Sequence, residues 1–554
     1  MRRLVIIFVL CLAAAGILYA QVSDRLGVQD MRYGKSWNRD LGTSTVLIHG
    51  ITPINVQGFP FFARGDDSSN DEEAIQAAID SAYSWGGGVV YLPAGTYYVG
   101  GSGAADSVDS WCLRLKSNVT IMGDGNATKI KMFTQKGRDV QPNGYPQAHV
   151  FYSGKRTWYY PTASSGQTTG ERVYEDLIDT THTSTNGEIY PSNIEIRDLC
   201  IDTDYANQPS GGTHNYSPIN VWSATNVRVI NCRLTGGVAE TAYFFGNHPD
   251  SSTTNIIFSG NIVEETGEWG VDALGVHFDR VDGVSCTNNV FKTIGLRAIG
   301  VGKAWNVLVD GNEIRGVYDV GIRCVGGNYV TISNNHMYNI NQYGVEVSNE
   351  GTSESFGVVV TGNNIALNDN NGEAGVMVKN SQRVHVDGNM VQFVHWDGND
   401  SATSYVGGIY VLQTDTLAAG GPWLKDVTVT NNAIFDIDDI YDANPPLADT
   451  LAYAPAAIQF IDIIGTFDSR PDVAFVGGNY SNYSFDGFRI SNFDTVISIG
   501  NMFGNVVRTG LDTTNVGWMS SVSYFTTAGY DGASGRDSTG TKSGYEFTSP
   551  GEEP

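Results

Sequence analysis

Through the middle of the chain, apolar and polar positions alternate in short runs rich in Val and Ile, and each run closes on Asn or Gly-Asn. The closing residues are Asn231, Asn261, Asn289, Asn312, Asn335, Asn363, Asn389 and Asn432. The tightest steps, 289 to 312 and 312 to 335, are 23 residues each. Period-two alternation of β-branched residues is a strand signal. Repeats of roughly 20–50 residues signal solenoids, propellers or arrays. No helical stripe runs through these repeats, so they read as coils of an all-β, parallel β-helix solenoid. That fold presents a long, flat groove suited to a polymer.

One segment carries the helical period instead. Asn70 is a candidate cap, Glu73 follows three residues on, and Ala74, Ile75, Ala78, Ile79 and Ala82 line one face. Gly86-Gly87-Gly88 stops it, and Val89 to Tyr97 reads as strand, turn and strand. The stretches Ala74-Ile75-Gln76-Ala77-Ala78-Ile79-Asp80 and Tyr91-Leu92-Pro93-Ala94-Gly95-Thr96-Tyr97 closely resemble the N-terminal cap of the pectate-lyase-like superfamily. Ser69-Asn70-Asp71 replaces the usual acidic pair before the helix. The resemblance implies a right-handed parallel β-helix with a short N-terminal capping α-helix over its open end, as terminal repeats require. It leaves the chemistry open, because that superfamily hosts lyases, hydrolases, epimerases and tail spikes.

Around the solenoid, residues 1–20 read as a signal peptide. Arg2 and Arg3 precede the apolar run Leu4 to Leu18, and Ala20 stands before Gln21. The run is short for a membrane span of about 20 residues. The expectation is a secreted or periplasmic protein with no membrane anchor after cleavage. Residues 21–57 read as an irregular leader and 58–525 as the capped β-helix, with long insertions at 145–192 and 396–424. Residues 526–554, rich in Gly, Ser and Thr, read as a flexible tail.

Charge and cysteine narrow the partners. Lys and Arg total 33 against 59 Asp and Glu, a formal net charge of −26, which disfavours nucleic acid and also repels an acidic polysaccharide unless a local basic strip or bound cations reverse the sign. Without Cys11, five cysteines remain (Cys112, Cys200, Cys232, Cys286 and Cys324). An odd count without CxxC spacing argues against a disulfide framework or a zinc site. No organic cofactor or calcium-loop pattern stands out, although a bound Ca²⁺ could neutralise an acidic substrate.

Nine residues after each asparagine comes a strand of the form Gly-apolar-x-apolar. Alternation turns x outward, which gives the column Asp272, Gly300, Arg323, Glu346, Met377 and Tyr410. With coils about 4.8 Å apart these side chains form one strip, of which Glu346 and Tyr410 are candidate substrate contacts. Arg297 lies beside the strip, and His277 joins it if the register shifts. In the insertion at 145–192, Trp158 and Tyr160 could stack on sugar rings.

Upstream stands Ala242-Tyr243-Phe244-Phe245-Gly246-Asn247-His248-Pro249-Asp250. Tyr243 lies five residues before His248, and Asp272 follows 24 after it. This spacing resembles secreted mannuronan C5-epimerases and related alginate lyases, as do Cys112-Leu113-Arg114-Leu115-Lys116 and Gly123-Asp124-Gly125. The resemblance implies a catalytic Tyr243, His248 and Asp272, with Arg297 or Arg323 holding the uronate carboxylate. Gly246 stands where that family has the Asp of its Asp-Pro-His core, so that acid has no counterpart. The expected activity is abstraction of the C5 proton of a uronate in a polysaccharide. Two alternatives are a glycoside hydrolase using a carboxyl pair from Asp272, Asp279 and Glu346, and a non-catalytic glycan-binding or adhesin scaffold.

Overall fold

A computed structural model of the protein describes residues 52–100, 111–133, 147–153, 191–208, 215–246, 253–266, 273–349, 355–368, 373–396, 407–413, 424–439, 456–462, 473–491, 495–514 and 518–525. The signal peptide, most of the leader, the tail, His248, Asp272, Trp158 and Tyr160 lie outside these residues.

The helix forms at Glu72–Ser84 and buries Ile75, Ala78, Ile79 and Ala82, the face its apolar spacing predicts. Its N-cap is Asp71 rather than Asn70. The Asp71 carboxylate accepts the backbone N–H groups of Arg64 and Gly65 at 2.6 and 3.0 Å, which ties the preceding turn to the helix. Burial raises its pKa against those bonds. Asn70 still accepts the Glu72 N–H at 3.2 Å.

From Gly88 the chain winds through parallel strands, and through the regular coils each strand pairs with its third neighbour in sequence. Arg297–Gly302, for example, pairs with Val320–Val325, which pairs with Tyr343–Ser348. Three strands per coil therefore build three parallel sheets around one core. The inward positions of the first sheet are Val276 and Phe278, Ile299 and Val301, Ile322 and Cys324, and Val345 and Val347, all buried. Burying each such side chain contributes about 1.5–3 kcal/mol. Phe244 stacks on Phe278 with ring centroids 5.4 Å apart, so aromatic layers continue from coil to coil. Cys112, Cys200, Cys232, Cys286 and Cys324 are all buried. Desolvation pushes the Cys232 and Cys324 thiols up to about 12, so they pack as small apolar groups.

The asparagine ladder stands inside the solenoid wall. In Asn261, Asn289, Asn312, Asn335, Asn363, Asn389 and Asn432, the backbone N–H and the side-chain Nδ2 both donate to Oδ1 of the next asparagine, at 2.9–3.1 Å. The other Nδ2 hydrogen goes to a backbone carbonyl, as from Asn312 to Cys286 at 3.0 Å. The ladder runs on through Asn479 to Asn501, both buried.

One expectation is corrected here. Asn231 is exposed and off the ladder; its neighbour Cys232 occupies the rung, donating its N–H to Asn261 Oδ1 at 2.9 Å. The left-handed backbone belongs to the residue before each rung: Asn231, Gly260, Asn288, Gly311, Asn334, Gly362, Gly388 and Asn431 have φ between 53° and 68°. The turn reverses at that residue and delivers the next side chain inward.

Asn312→Ala strands two buried donors of Asn289 and is expected to lower stability by about 2 kcal/mol or more in urea unfolding. Asn334→Gly, at an exposed left-handed position that Gly adopts readily, is expected to change it by less than about 1 kcal/mol. Equal losses would contradict the assignment of rung and turn.

Candidate functional site

The outward column of the first sheet is a continuous strip. Strand register places Tyr152, Asn220, Tyr243, His277, Gly300, Arg323, Glu346, Met377 and Tyr410 side by side, one per coil. Arg323, Glu346 and Gly300 stand where the repeat predicts them. At the position the repeat assigns to Asp272, which lies outside the described residues, the column holds His277. The coil from Asn261 to Asn289 has 28 residues, five more than the 23-residue coils, and the surplus falls before the strand Ala273–Asp279. The motif therefore moves five residues on, to Gly275-Val276-His277-Phe278. That second Gly-Val pair was the available signal.

His277 sits among groups able to hold and move protons. Its ring lies 5.2 Å from the Tyr243 ring, centroid to centroid. The Tyr243 hydroxyl donates to Asp279 Oδ2 at 3.3 Å. Glu240, a buried carboxylate, approaches His277 Nδ1 at 3.7 Å, and that nitrogen is buried with no direct hydrogen-bond partner among the described residues. The His277 side chain keeps 22 % exposure. Tyr243 is fully buried in a cluster with Tyr152, Trp222 and Phe245, so in this conformation it backs His277 and offers no open surface. Asn220 completes this end, accepting the Trp222 indole N–H and bringing Nδ2 to 3.3 Å from His149 Nε2.

Two glycines explain how the imidazole finds room. A Cβ on Gly300 would lie 3.0 Å from His277 Cδ2, and one on Gly302 would lie 3.2 Å from Nε2 and 3.1 Å from Asp279 Oδ1. The ring leans over these two glycines, where an added Cβ would press on it and make it shift by a few tenths of an ångström.

Beyond these glycines the strip is ionic. Arg323 Nε stands 2.9 Å from Glu346 Oε2, and Arg297 Nε 3.1 Å from Asp319 Oδ2. Arg297 opens the strand that carries Gly300, beside the strip as expected. Burial raises the Asp319 pKa, and the Arg297 guanidinium opposes that shift. Tyr343 donates to Glu373, and burial together with that carboxylate raises its hydroxyl pKa. The strip then turns apolar. Tyr410 is 1 % exposed and packs with Ala374, Met377 and Leu412. Its expected role as a substrate contact is corrected accordingly: register alone places it outward, and its neighbours cover it.

Among the described residues no group of three or more His, Cys, Asp or Glu side chains is placed to hold a metal ion. A cleft of about 520 Å³ lies at the N-terminal cap, lined by residues between Pro60 and Ala77 that include Arg64, Asp71 and Glu73.

Comparison with known proteins agrees with this architecture. A family model described as rhamnogalacturonase A/epimerase, pectate lyase-like, matches residues 54–323, and a right-handed β-helix model matches 269–434. Over these residues the chain resembles the pectate-lyase-like superfamily of right-handed parallel β-helices. Over 81 residues, 14 % of this chain, it is 53 % identical to the mannuronan C5-epimerase AlgE5 of Azotobacter vinelandii, and the match takes in 8 % of that protein. Alginate lyase 7 of the same organism is 49 % identical over 73 residues, 13 % of this chain and 8 % of the relative. Among solved structures, the tailspike protein of E. coli bacteriophage HK620, in complex with a pentasaccharide, superposes with a TM-score of 0.51. That match has 13 % identity, covers 85 % of this chain and 81 % of the tailspike chain, and is a likeness of fold.

Gly302→Val is expected to push the His277 imidazole out of its position, visible in a crystal structure or in histidine ring NMR signals. An unmoved ring would show that the glycines do not position it.

Proposed function

We propose that the protein is an exported enzyme acting on a uronate-containing polysaccharide by abstraction of the C5 proton, as a β-elimination lyase or a C5-epimerase, with an alginate-like glycan as the favoured substrate. The observation that carries the reading is the His277–Tyr243 pair on an axial strip whose cations are arginines. The short stretches of high identity to a mannuronan C5-epimerase and an alginate lyase support the same substrate class. The export signal at residues 1–20 fits a substrate outside the cell.

The reaction needs three things of this chain. A base must take H5, and His277 is the exposed, proton-accepting member of the pair. Glu240 stands 3.7 Å from the other ring nitrogen, a carboxylate beside the ring that receives the proton. The negative charge that develops on the uronate carboxylate must be met, and Arg323, two coils or about 10 Å along the strip, is a fixed cation for it. Gly300 between them leaves the floor open to a sugar ring. In a lyase the C4–O4 bond then breaks and a C4=C5 double bond forms. In an epimerase a proton returns to the opposite face of C5. No step is routed through Ca²⁺.

One observation favours hydrolysis as a second reading. The Asp319 carboxyl, raised by burial, and Glu346 share the ionic part of the strip. Carboxyls with unlike environments divide acid and base roles.

A panel of alginate, pectate and sulfated glycans separates the readings. Unsaturated ends that absorb in the ultraviolet, or an altered uronate ratio without chain shortening, are expected. His277→Gln is expected to lower kcat by about 10²–10⁴-fold. Full activity in His277→Gln together with loss in His248→Ala would move the base to His248. New reducing ends without new absorbance would overturn the proposal in favour of hydrolysis.

A further inference from the structure

We propose that Trp305, Tyr329 and Phe356, with Arg383, form a second glycan-binding ledge at the corner beside the strip, which takes an acidic sugar chain along the solenoid axis. The ledge is separate from the proton-transfer residues. Trp305, Asn328, Phe356 and Gln382 pair in one register column at the start of the second sheet, just past the end of the site strands, and Tyr329 and Arg383 follow by one residue. Four successive coils thus each present a ring or a guanidinium along one line.

Backbone conformation marks the ledge as more than a chance run of aromatics. The corner needs a left-handed residue in every coil. Earlier coils supply the usual types, with Asn118, Asn193, Asn226, Asn255, Gly283 and Asn306 at φ 53–74°. Four of these side chains also join hands outside the solenoid, each Nδ2 donating to the preceding Oδ1: Asn193 to Asn118, Asn226 to Asn193 and Asn255 to Asn226, at 2.8–3.1 Å. Tyr329 and Arg383 break the series while keeping φ at 56° and 53°. Bulky residues in this conformation cost about 1 kcal/mol or more each. Neither side chain serves the core: Tyr329 is 60 % exposed, and Trp305 beside it 44 %.

The rings are also held in place. A Cβ on Gly357 would come within 3.2 Å of the Tyr329 ring, so the tyrosine lies over that glycine. Tyr329 meets Phe356 edge-on at 5.9 Å, and the Arg383 guanidinium sits 4.8 Å above the Phe356 ring. Ordered, solvent-facing rings bind the C–H faces of sugars with little loss of side-chain entropy. Arg383 reaches its acidic neighbour Asp426 only at 3.9 Å, both well exposed, a pairing worth little in water. It can take a carboxylate in its place. Rings with an arginine also suit single-stranded nucleic acid, but the net charge of −26 opposes that partner over the whole molecule. A sugar chain that stacks on the rings and sets one carboxylate against the guanidinium satisfies both. Only the uronate identity of the chain rests on the proposed function; stacking of a glycan on the rings does not.

Affinity electrophoresis of the full chain in gels holding alginate, pectate or a neutral glucan tests the ledge. Retardation in at least one acidic gel is expected. In the Trp305→Ala/Tyr329→Ala double variant it should fall about tenfold or more, with unchanged melting temperature and unchanged turnover of short oligosaccharides. Arg383→Ala should weaken binding mainly at low salt. Unaltered retardation in the double variant, no retardation of the parent in any gel, preference for the neutral glucan, or a change of sedimentation that marks the rings as a contact between copies would each overturn the ledge. The two proposals fail separately. Retardation lost in the double variant without any turnover by the parent leaves the ledge and removes the enzyme. Turnover with retardation unaltered by the substitutions does the reverse.

Discussion

The structure depends on one repeated hydrogen-bond pair. In each rung a buried asparagine gives its backbone N–H and its side-chain N–H to a single oxygen on the asparagine of the next coil. A solenoid coil touches only its neighbours, so stability is a sum of nearest-neighbour terms. The ladder makes one of those terms specific. In a low-dielectric wall an unmatched donor is expensive, and a one-residue slip would both strand the rung and turn every apolar side chain outward.

That specificity lets coils differ in length without disturbing the strip. The step from Asn289 to Asn312 is 23 residues and that from Asn432 to Asn479 is 47, yet the same two bonds close each. Surplus chain is expelled at the corners, while the outward column stays in register. A flat, periodic surface results, on which single residues change character coil by coil. A buried aromatic end with His277 at its rim gives way to two glycines, then to paired arginines and carboxylates, then to an apolar patch. The corner ledge follows the same rule, since substitution at one position per coil replaces a structural asparagine with a ring or a guanidinium.

Much of this was legible in the residues. The capping helix, the strands, the inward β-branched positions and the adjacency of Gly300, Arg323 and Glu346 follow from periodicity alone, because pleat and coil spacing are fixed by backbone geometry. What periodicity could not supply is where an irregular coil puts its surplus. Counting nine residues from Asn261 selects Asp272; the strand begins after five extra residues and selects His277. The rung after Ile230 falls to Cys232, whose backbone donor needs no asparagine side chain, so a search for Asn stops one residue early at Asn231. Tyr410 points outward by register yet is covered, since burial depends on neighbours that alternation does not describe. Glu240, Asp319 and Glu373 lie near or before strand starts, where no repeating motif marks them.

The most direct test of the account follows the C5 proton itself. Alginate incubated with the enzyme in deuterated water and examined by proton NMR should lose its H5 signal, through deuterium return in an epimerase or through the C4=C5 double bond in a lyase. The loss should disappear in His277→Gln. Retention of H5 in a glycan that the enzyme nevertheless shortens would contradict proton abstraction at C5.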